Sequence, residues 1–281
     1  MKNFLFKNLI IILFLFININ LYCQIKINEW SCQTIGSNLK LLDEGKSSYS
    51  TNPKFINLFI HIICKENGTD GLSNDIINSS LSLLSWDYKD KNIYFIEIGR
   101  ELIKNDLFFN GISSEEEYNR LINSNRHINA IDIYFLSPSD SYARASDIPG
   151  DALALGGIYA NTSVLSHEIG HCLGLYHTHS GSGCYDYANC SENINGSNCS
   201  NCGDLVCDTP ADPCLSGKVD DNCNYVGGGG YSPDVHNIMS YSSPHCLNNI
   251  TLGQMNRIHF VISNSVLFNA LSYTPSIYGA S

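Results

Sequence analysis

The sequence predicts an α+β fold: a twisted mixed β-sheet with helices packed on it, then an irregular, disulfide-bound C-terminal lobe that ends in a helix. Three observations predict it. Segments of strand and helix patterning alternate as far as Leu175. From Ser180 to Pro233 no period survives, and glycine, asparagine and cysteine dominate. Eight of the twelve cysteines fall from Cys184 to Cys246, so this part is stapled rather than built on a large core.

Residues 1–23 read as a secretion signal: Lys2 and Lys7 give a positive start, and Leu9 to Ile19 is an apolar run too short to cross a bilayer comfortably. One alternative is an N-terminal anchor helix; another is a lipid-anchored protein with Cys23 as the attachment point, though the residues before it fit a lipobox poorly. Residues 24–52 are polar and irregular, as expected of a leader or pro-segment, and the folded domain is expected over 53–281. Phe55 to Cys64, rich in β-branched and aromatic residues, predicts a strand. Ser73 to Tyr88 carries Ile76, Ile77, Leu81, Leu84 and Tyr88 at helical spacing. Asn92 to Ile98 predicts a buried strand, and Ser114 to Ile122 a helix capped by Ser113 or Ser114 with acids in its first turn. Ile131 to Leu136 predicts a third strand, and Leu153 to Ala160 a fourth, weakened by Gly156 and Gly157. A helix then starts near Thr162 or Ser163, and the last one runs from about Gly253 to Leu267.

The net charge is −11, and −13 once Lys2 and Lys7 are removed. Such a chain carries no footprint of a nucleic-acid binder and no basic cluster suited to anionic lipid. No stable membrane insertion of the mature chain is expected, and a monomer is.

The chemistry is concentrated after residue 166, in His167-Glu168-Ile169-Gly170-His171-Cys172-Leu173-Gly174-Leu175-Tyr176-His177. Histidines four apart leave the same face of a helix, one turn apart, and can take two corners of a zinc tetrahedron. Glu168 follows the first ligand directly, placed to accept a proton from an activated water. Gly174 can adopt the left-handed conformation that turns the chain back and brings His177 in as a third ligand. Three protein ligands leave one position open, the arrangement of catalytic rather than structural zinc. Five fixed positions over the chain length arise by accident about once in ten thousand chains.

This motif resembles the metzincin clan, and its surroundings resemble the pappalysin family, which includes ulilysin-like secreted proteases. The resemblance rests further on Tyr176-His177-Thr178, Gly183-Cys184, Gly203-Asp204-Leu205-Val206-Cys207-Asp208-Thr209-Pro210, His236-Asn237-Ile238-Met239-Ser240-Tyr241 and Thr251-Leu252-Gly253-Gln254-Met255-Asn256-Arg257. It covers about Phe55 to Phe260 and implies a metzincin-type catalytic domain. It implies zinc at His167, His171 and His177, and Glu168 as general base. Met239 would be the Met-turn residue beneath the ligands, or equally a gap-filling methionine. Tyr241 would be the tyrosine that hydrogen-bonds the oxyanion, against an ordinary half-buried tyrosine. The resemblance also implies the disulfides Cys184–Cys214 and Cys223–Cys246. Cys190, Cys199, Cys202 and Cys207 stay unassigned, with a zinc knuckle as the weaker alternative for the last three, and Cys172 reads as a buried thiol.

Cys32, in Trp30-Ser31-Cys32-Gln33-Thr34, resembles the Cys-Gly-Thr segment of pappalysin-like precursors with Gln33 replacing glycine. It would be a zinc-ligating latency residue; the alternatives are a bond to Cys64 or a loose thiol. Ser240 stands where the family usually has aspartate, and Ser242-Ser243-Pro244-His245 lacks the acids common there, so an arginine preference is not implied. Asp204, Asp208 and Asp212, with Thr209, are either a structural Ca²⁺ site or solvated loop acids.

The function so predicted is that of a secreted, extracellular Zn²⁺ endopeptidase acting on proteins or peptides. The alternatives are a catalytically silent, zinc-containing secreted binding protein, against which the intact Glu168 speaks, and hydrolysis of a bond other than the peptide bond.

Overall fold

The structure is a computed structural model that describes residues 30–34, 52–184 and 190–264; the predicted signal segment and most of the predicted pro-segment lie outside them. Five strands form one sheet: β1 (Lys54–Cys64), β2 (Ile93–Lys104), β3 (Ile131–Phe135), β4 (Ala143–Ala145) and β5 (Ala152–Leu155). Their spatial order is β2-β1-β3-β5-β4, with β4 alone antiparallel to its neighbour. The helices are α1 (Asn74–Tyr88), α2 (Asp106–Phe109), α3 (Glu115–Ile122), α4 (Val164–Cys172) and α5 (Leu252–Asn264).

The two-residue period of β1 divides the core between the faces of the sheet. Ile56, Leu58, Ile60 and Ile62 belong to one cluster with Ile77, Leu84 and Tyr88 of α1 and Leu165 and Ile169 of α4. Ile63 and Tyr134 pack on the other side against Tyr118, Leu121 and Ile122 of α3. Two polar bonds fix α4 against α1: Ser166 Oγ donates to Asp87 Oδ2 at 2.6 Å, and Tyr88 OH to the Ser166 carbonyl at 3.0 Å. The caps fall where the sequence suggests. Ser73 accepts from the Ile76 N–H and Ser114 from the Glu117 N–H. Ser113 meanwhile binds the Glu117 carboxylate.

Several details differ from the sequence reading. β2 runs on to Lys104 and is an edge strand, with Tyr94 and Ile98 exposed rather than buried. Its register against β1 slips by one residue at Leu58/Phe59, which a bulge accommodates. β5 ends at Leu155 and the chain turns at Gly157, which passes so close to Pro138 that a Cβ there would lie 2.5 Å from its Cα. The three-residue β4 went unforeseen, being too short to show alternation.

A polar group centred on the buried His61 and Asp132 has formed that no sequence pattern announces. Both ring nitrogens of His61 lie against carboxylates, Glu101 at 2.8 Å and Asp132 at 2.9 Å, and His127 Nδ1 is also 2.9 Å from Asp132.

The C-terminal lobe is closed by four disulfides: Cys184–Cys214, Cys190–Cys202, Cys199–Cys207 and Cys223–Cys246. The second and third use up the thiols of the knuckle alternative. Cys32, Cys64 and Cys172 are unbonded and buried, so the alternative Cys32–Cys64 pair does not form. Among the described residues no helix is long and apolar enough to cross a membrane.

Candidate metal centre and cleft

α4 carries His167 and His171 on one face, both fully buried. Gly174 then takes φ +90°, and a side chain there would also meet Val261, 2.6 Å from its Cβ. The turn brings His177 to the same point. The three Nε2 atoms lie 3.0, 3.1 and 3.2 Å apart. The second nitrogens of the helical pair face carbonyls: His167 Nδ1 is 2.6 Å from the Ile238 oxygen and His171 Nδ1 2.8 Å from the Leu175 oxygen. A carbonyl only accepts, so those nitrogens carry the protons and donate, and Nε2 is left as a bare lone pair. Burial and the neighbouring imidazoles push His167 and His177 well below the ordinary histidine range. Neutral imidazoles with converging lone pairs fit a cation and have no other evident use.

Met239 is fully buried. Its sulfur fills the space beside Gly170, where any Cβ would collide with it. Asn237 sets the turn: its Oδ1 accepts the Met239 N–H at 3.0 Å, and its amide exchanges hydrogen bonds with Gln254 of α5. The Thr178 N–H donates to the Met239 carbonyl at 3.1 Å.

The segment Trp30–Thr34 lies in the cleft. Cys32 Sγ joins His167, His171 and His177 in one group whose ligand atoms all lie within 4.8 Å of one another. The donor set of three imidazoles and one thiol suits zinc. The thiol itself is pushed well above its usual range by burial and then by the Glu168 charge, while Thr34 opposes this. A cation beside it would reverse that balance, since a coordinating thiol is deprotonated. The Gln33 N–H donates to the Ala143 carbonyl of β4 at 3.0 Å, and the Ala145 N–H donates to Thr34 Oγ1 at 2.8 Å. The segment therefore runs alongside β4 in the same direction as that strand.

Glu168 is fully buried, and burial pushes its carboxyl up to about 7. Its Oε2 accepts from Thr34 Oγ1 at 3.0 Å and from Cys32 Sγ at 3.4 Å. The Tyr241 hydroxyl donates to the Cys32 carbonyl at 2.8 Å and accepts the Cys32 N–H at 3.1 Å. Its ring lies 4.8 Å from that of His177. Trp30 is buried against His167, Tyr159 and Tyr241, and its Nε1–H donates to the Ser242 carbonyl at 2.8 Å.

The cleft thus gathers His167, Glu168, His171, His177, Met239, Tyr241 and Cys32. Sequence reasoning missed Trp30, Thr34 and Tyr159. The first two stood beside Cys32 in the same pentapeptide, and only the contact to Glu168 reveals Thr34 as more than a neighbour. The three aspartates after the cleft serve different partners. Asp204 Oδ1 accepts from the Val206 N–H and Thr209 Oγ1. Asp208 accepts from Thr251 Oγ1 and from the Gly253 N–H at the start of α5. Asp212 accepts from Thr178 Oγ1 at 2.6 Å.

Residues 150–263 match the family model described as pregnancy-associated plasma protein-A, a peptidase family. An extracellular metalloprotease of Arthroderma benhamiae is 24% identical over 259 residues, covering 79% of this chain and 78% of that protein. Another from Verticillium alfalfae is 36% identical over 119 residues, 41% of this chain and 34% of its own length. Among solved structures, mature mirolysin of Tannerella forsythia in complex with a cleaved peptide superimposes with a TM-score of 0.54 at 19% identity. That match covers 80% of this chain and 97% of mirolysin.

Proposed function

We propose that this chain, whose residues 150–263 match the pregnancy-associated plasma protein-A peptidase model and whose fold resembles that of mirolysin, is a secreted zinc endopeptidase of the pappalysin family made as a latent precursor. The single observation that supports this best is the convergence of three Nε2 atoms within 3.2 Å, two of them backed by carbonyls on Nδ1. His167, His171 and His177 are the residues to hold Zn²⁺. When bound, zinc polarises a peptide carbonyl and lowers the pKa of a bound water to roughly 7.

The chain's own residues do the rest. In the latent state Glu168 Oε2 is engaged by Thr34 and Cys32. With the segment gone, that oxygen is free to take a proton from the attacking water and return it to the leaving amine. A carboxylate so placed can serve both transfers. Tyr241 OH already donates to a peptide carbonyl, that of Cys32. On a substrate the same hydroxyl would meet the carbonyl oxygen as its charge grows. Met239 is the floor of the site.

Cys32 is the latency ligand in this reading, and residues 24–52 the pro-segment ahead of a catalytic domain over 53–281. A signal at 1–23 and the extracellular naming of the relatives support secretion. The substrates are proteins or peptides outside the cell, taken by a monomer. Calcium at Asp204, Asp208 and Asp212 is the weaker part: the buried Asp204 Oδ2 and Asp212 Oδ1 lack hydrogen-bond partners, but their other oxygens and both of Asp208 already have protein donors.

The test is cleavage of a quenched peptide library by the zinc-loaded full chain carrying Cys32→Ala, with and without a chelator, beside the same chain with Glu168→Ala. Cleavage abolished by both controls is expected. A folded, zinc-containing protein that cleaves nothing would reject the peptidase in favour of a silent binding protein.

A further inference from the structure

The seat of Trp30 has its own chemistry, separate from the thiol two residues later. The indole is 4% exposed. Its ring centroid is 4.7 Å from that of His167, 5.4 Å from Tyr241 and 6.3 Å from Tyr159. The polar edge is also satisfied, with Nε1–H on the Ser242 carbonyl at 2.8 Å. One wall is therefore a zinc-ligand imidazole, so the seat abuts the place where a bond would be cut.

The backbone that delivers this indole occupies a peptide's place. Gln33 is bonded to the edge strand β4, and the Cys32 carbonyl is held by Tyr241. When the segment leaves, a substrate chain in the same cleft has the same seat to fill. The stretch behind it, Ser240-Tyr241-Ser242-Ser243-Pro244, contains no acid. An arginine or lysine buried there would find no carboxylate in that stretch to offset its charge. A small aliphatic side chain would leave much of the space empty. A large ring without a donor would leave the Ser242 carbonyl unpaired.

We propose that the seat of Trp30 is a substrate pocket selecting a large aromatic side chain, tryptophan above all, beside the cleaved bond, an inference that rests on the peptidase reading. The latent segment thus blocks the enzyme partly by presenting the side chain the pocket prefers. Tyr159, outside the metal motif, becomes a specificity-determining residue.

The pocket is tested without chemistry by calorimetry. The zinc-loaded full chain carrying Trp30→Ala and Cys32→Ala is titrated with N-acetyltryptophanamide and with N-acetylargininamide. A second background carrying Trp30→Ala alone guards against misfolding of the double variant. Tryptophan amide is expected to bind at least roughly tenfold more tightly than arginine amide, as for a pocket built to pair a ring and its donor. The unsubstituted chain, its seat filled, is expected to bind neither. Equal affinities, or preference for arginine, would overturn the pocket. Products of a peptide library cut by the double variant give the second reading. Aromatic enrichment next to the cut supports the inference, and cutting beside basic residues overturns it while leaving the peptidase standing. Selective binding without any cleavage would uphold the pocket and remove the peptidase alone.

Discussion

At the level of single residues, the cleft separates groups whose roles follow from spacing from groups whose roles follow only from contact. His167 and His171 are legible because a helix converts an interval of four into one face, and Glu168 because it follows the first of them directly. His177 was legible because Gly174 could turn the chain. Thr34 was not, since nothing in a pentapeptide says which carboxylate its hydroxyl will meet 134 residues away. Two expectations belong here. Glu168→Gln should lower kcat about 10²- to 10⁴-fold, the usual contribution of a positioned acid–base group, with metal content unchanged. Tyr241→Phe should lower kcat about 10²-fold with little change in KM, as for loss of one oxyanion donor. A change confined to KM would instead make Tyr241 a substrate-binding residue. Thr34→Val in the unprocessed chain removes a donor to a carboxylate, an interaction of about 1.5–3 kcal/mol. Basal activity should rise about tenfold or more, and unchanged activity would make Thr34 a bystander.

Among the elements, β1, α1 and α3 are legible in the sequence, whereas β2 is legible as a strand but not as a long, half-exposed edge. α1 and α3 each show one face inward, while β1, buried on both faces, is marked by its run of β-branched and aromatic residues. β4 escaped notice although it borders the cleft, for three residues carry no period. The His61–Glu101–Asp132–His127 group escaped too, because it is assembled from β1, β2, β3 and the loop before β3 by parallel pairing across more than 60 residues. The junction between α4 and His177 is the element on which the metal geometry hangs. Gly174→Ala would force φ +90° on an alanine and drive its Cβ into Val261. A left-handed alanine costs about 1–2 kcal/mol before any clash. Zinc content after dialysis should fall and the melting temperature drop together. A variant that kept full zinc occupancy would mean that His177 is held by other contacts.

For the whole molecule, the order of sheet, motif helix and stapled lobe was visible in advance, but the internal wiring of the lobe was not. The implied pairs Cys184–Cys214 and Cys223–Cys246 came from likeness to relatives; Cys190–Cys202 and Cys199–Cys207 had no such guide. Global stability should carry one unusual pH signature. Asp204 is fully buried, and burial pushes its carboxyl up to about 8. Its folded pKa lies above the unfolded value of about 3.9, so folding favours the protonated form. That contribution is fully present below about pH 4 and is lost as pH rises towards 8. Asp204→Asn should flatten the melting temperature across this window in metal-free buffer. If added calcium raises the melting temperature at pH 8 in the unsubstituted chain but not in the variant, the loop takes that ion. The arrangement of Trp30–Thr34 in the cleft also sets a rule for release. If Trp30–Thr34 is the inhibitory segment proposed above, the 17 residues from 35 to 51 join it to the fold, and as a flexible tether they would set its effective concentration on the order of millimolar. One cut in that stretch would turn an internal equilibrium into a bimolecular one. Nicked protein stored at high concentration would stay silent, and dilution alone would switch it on.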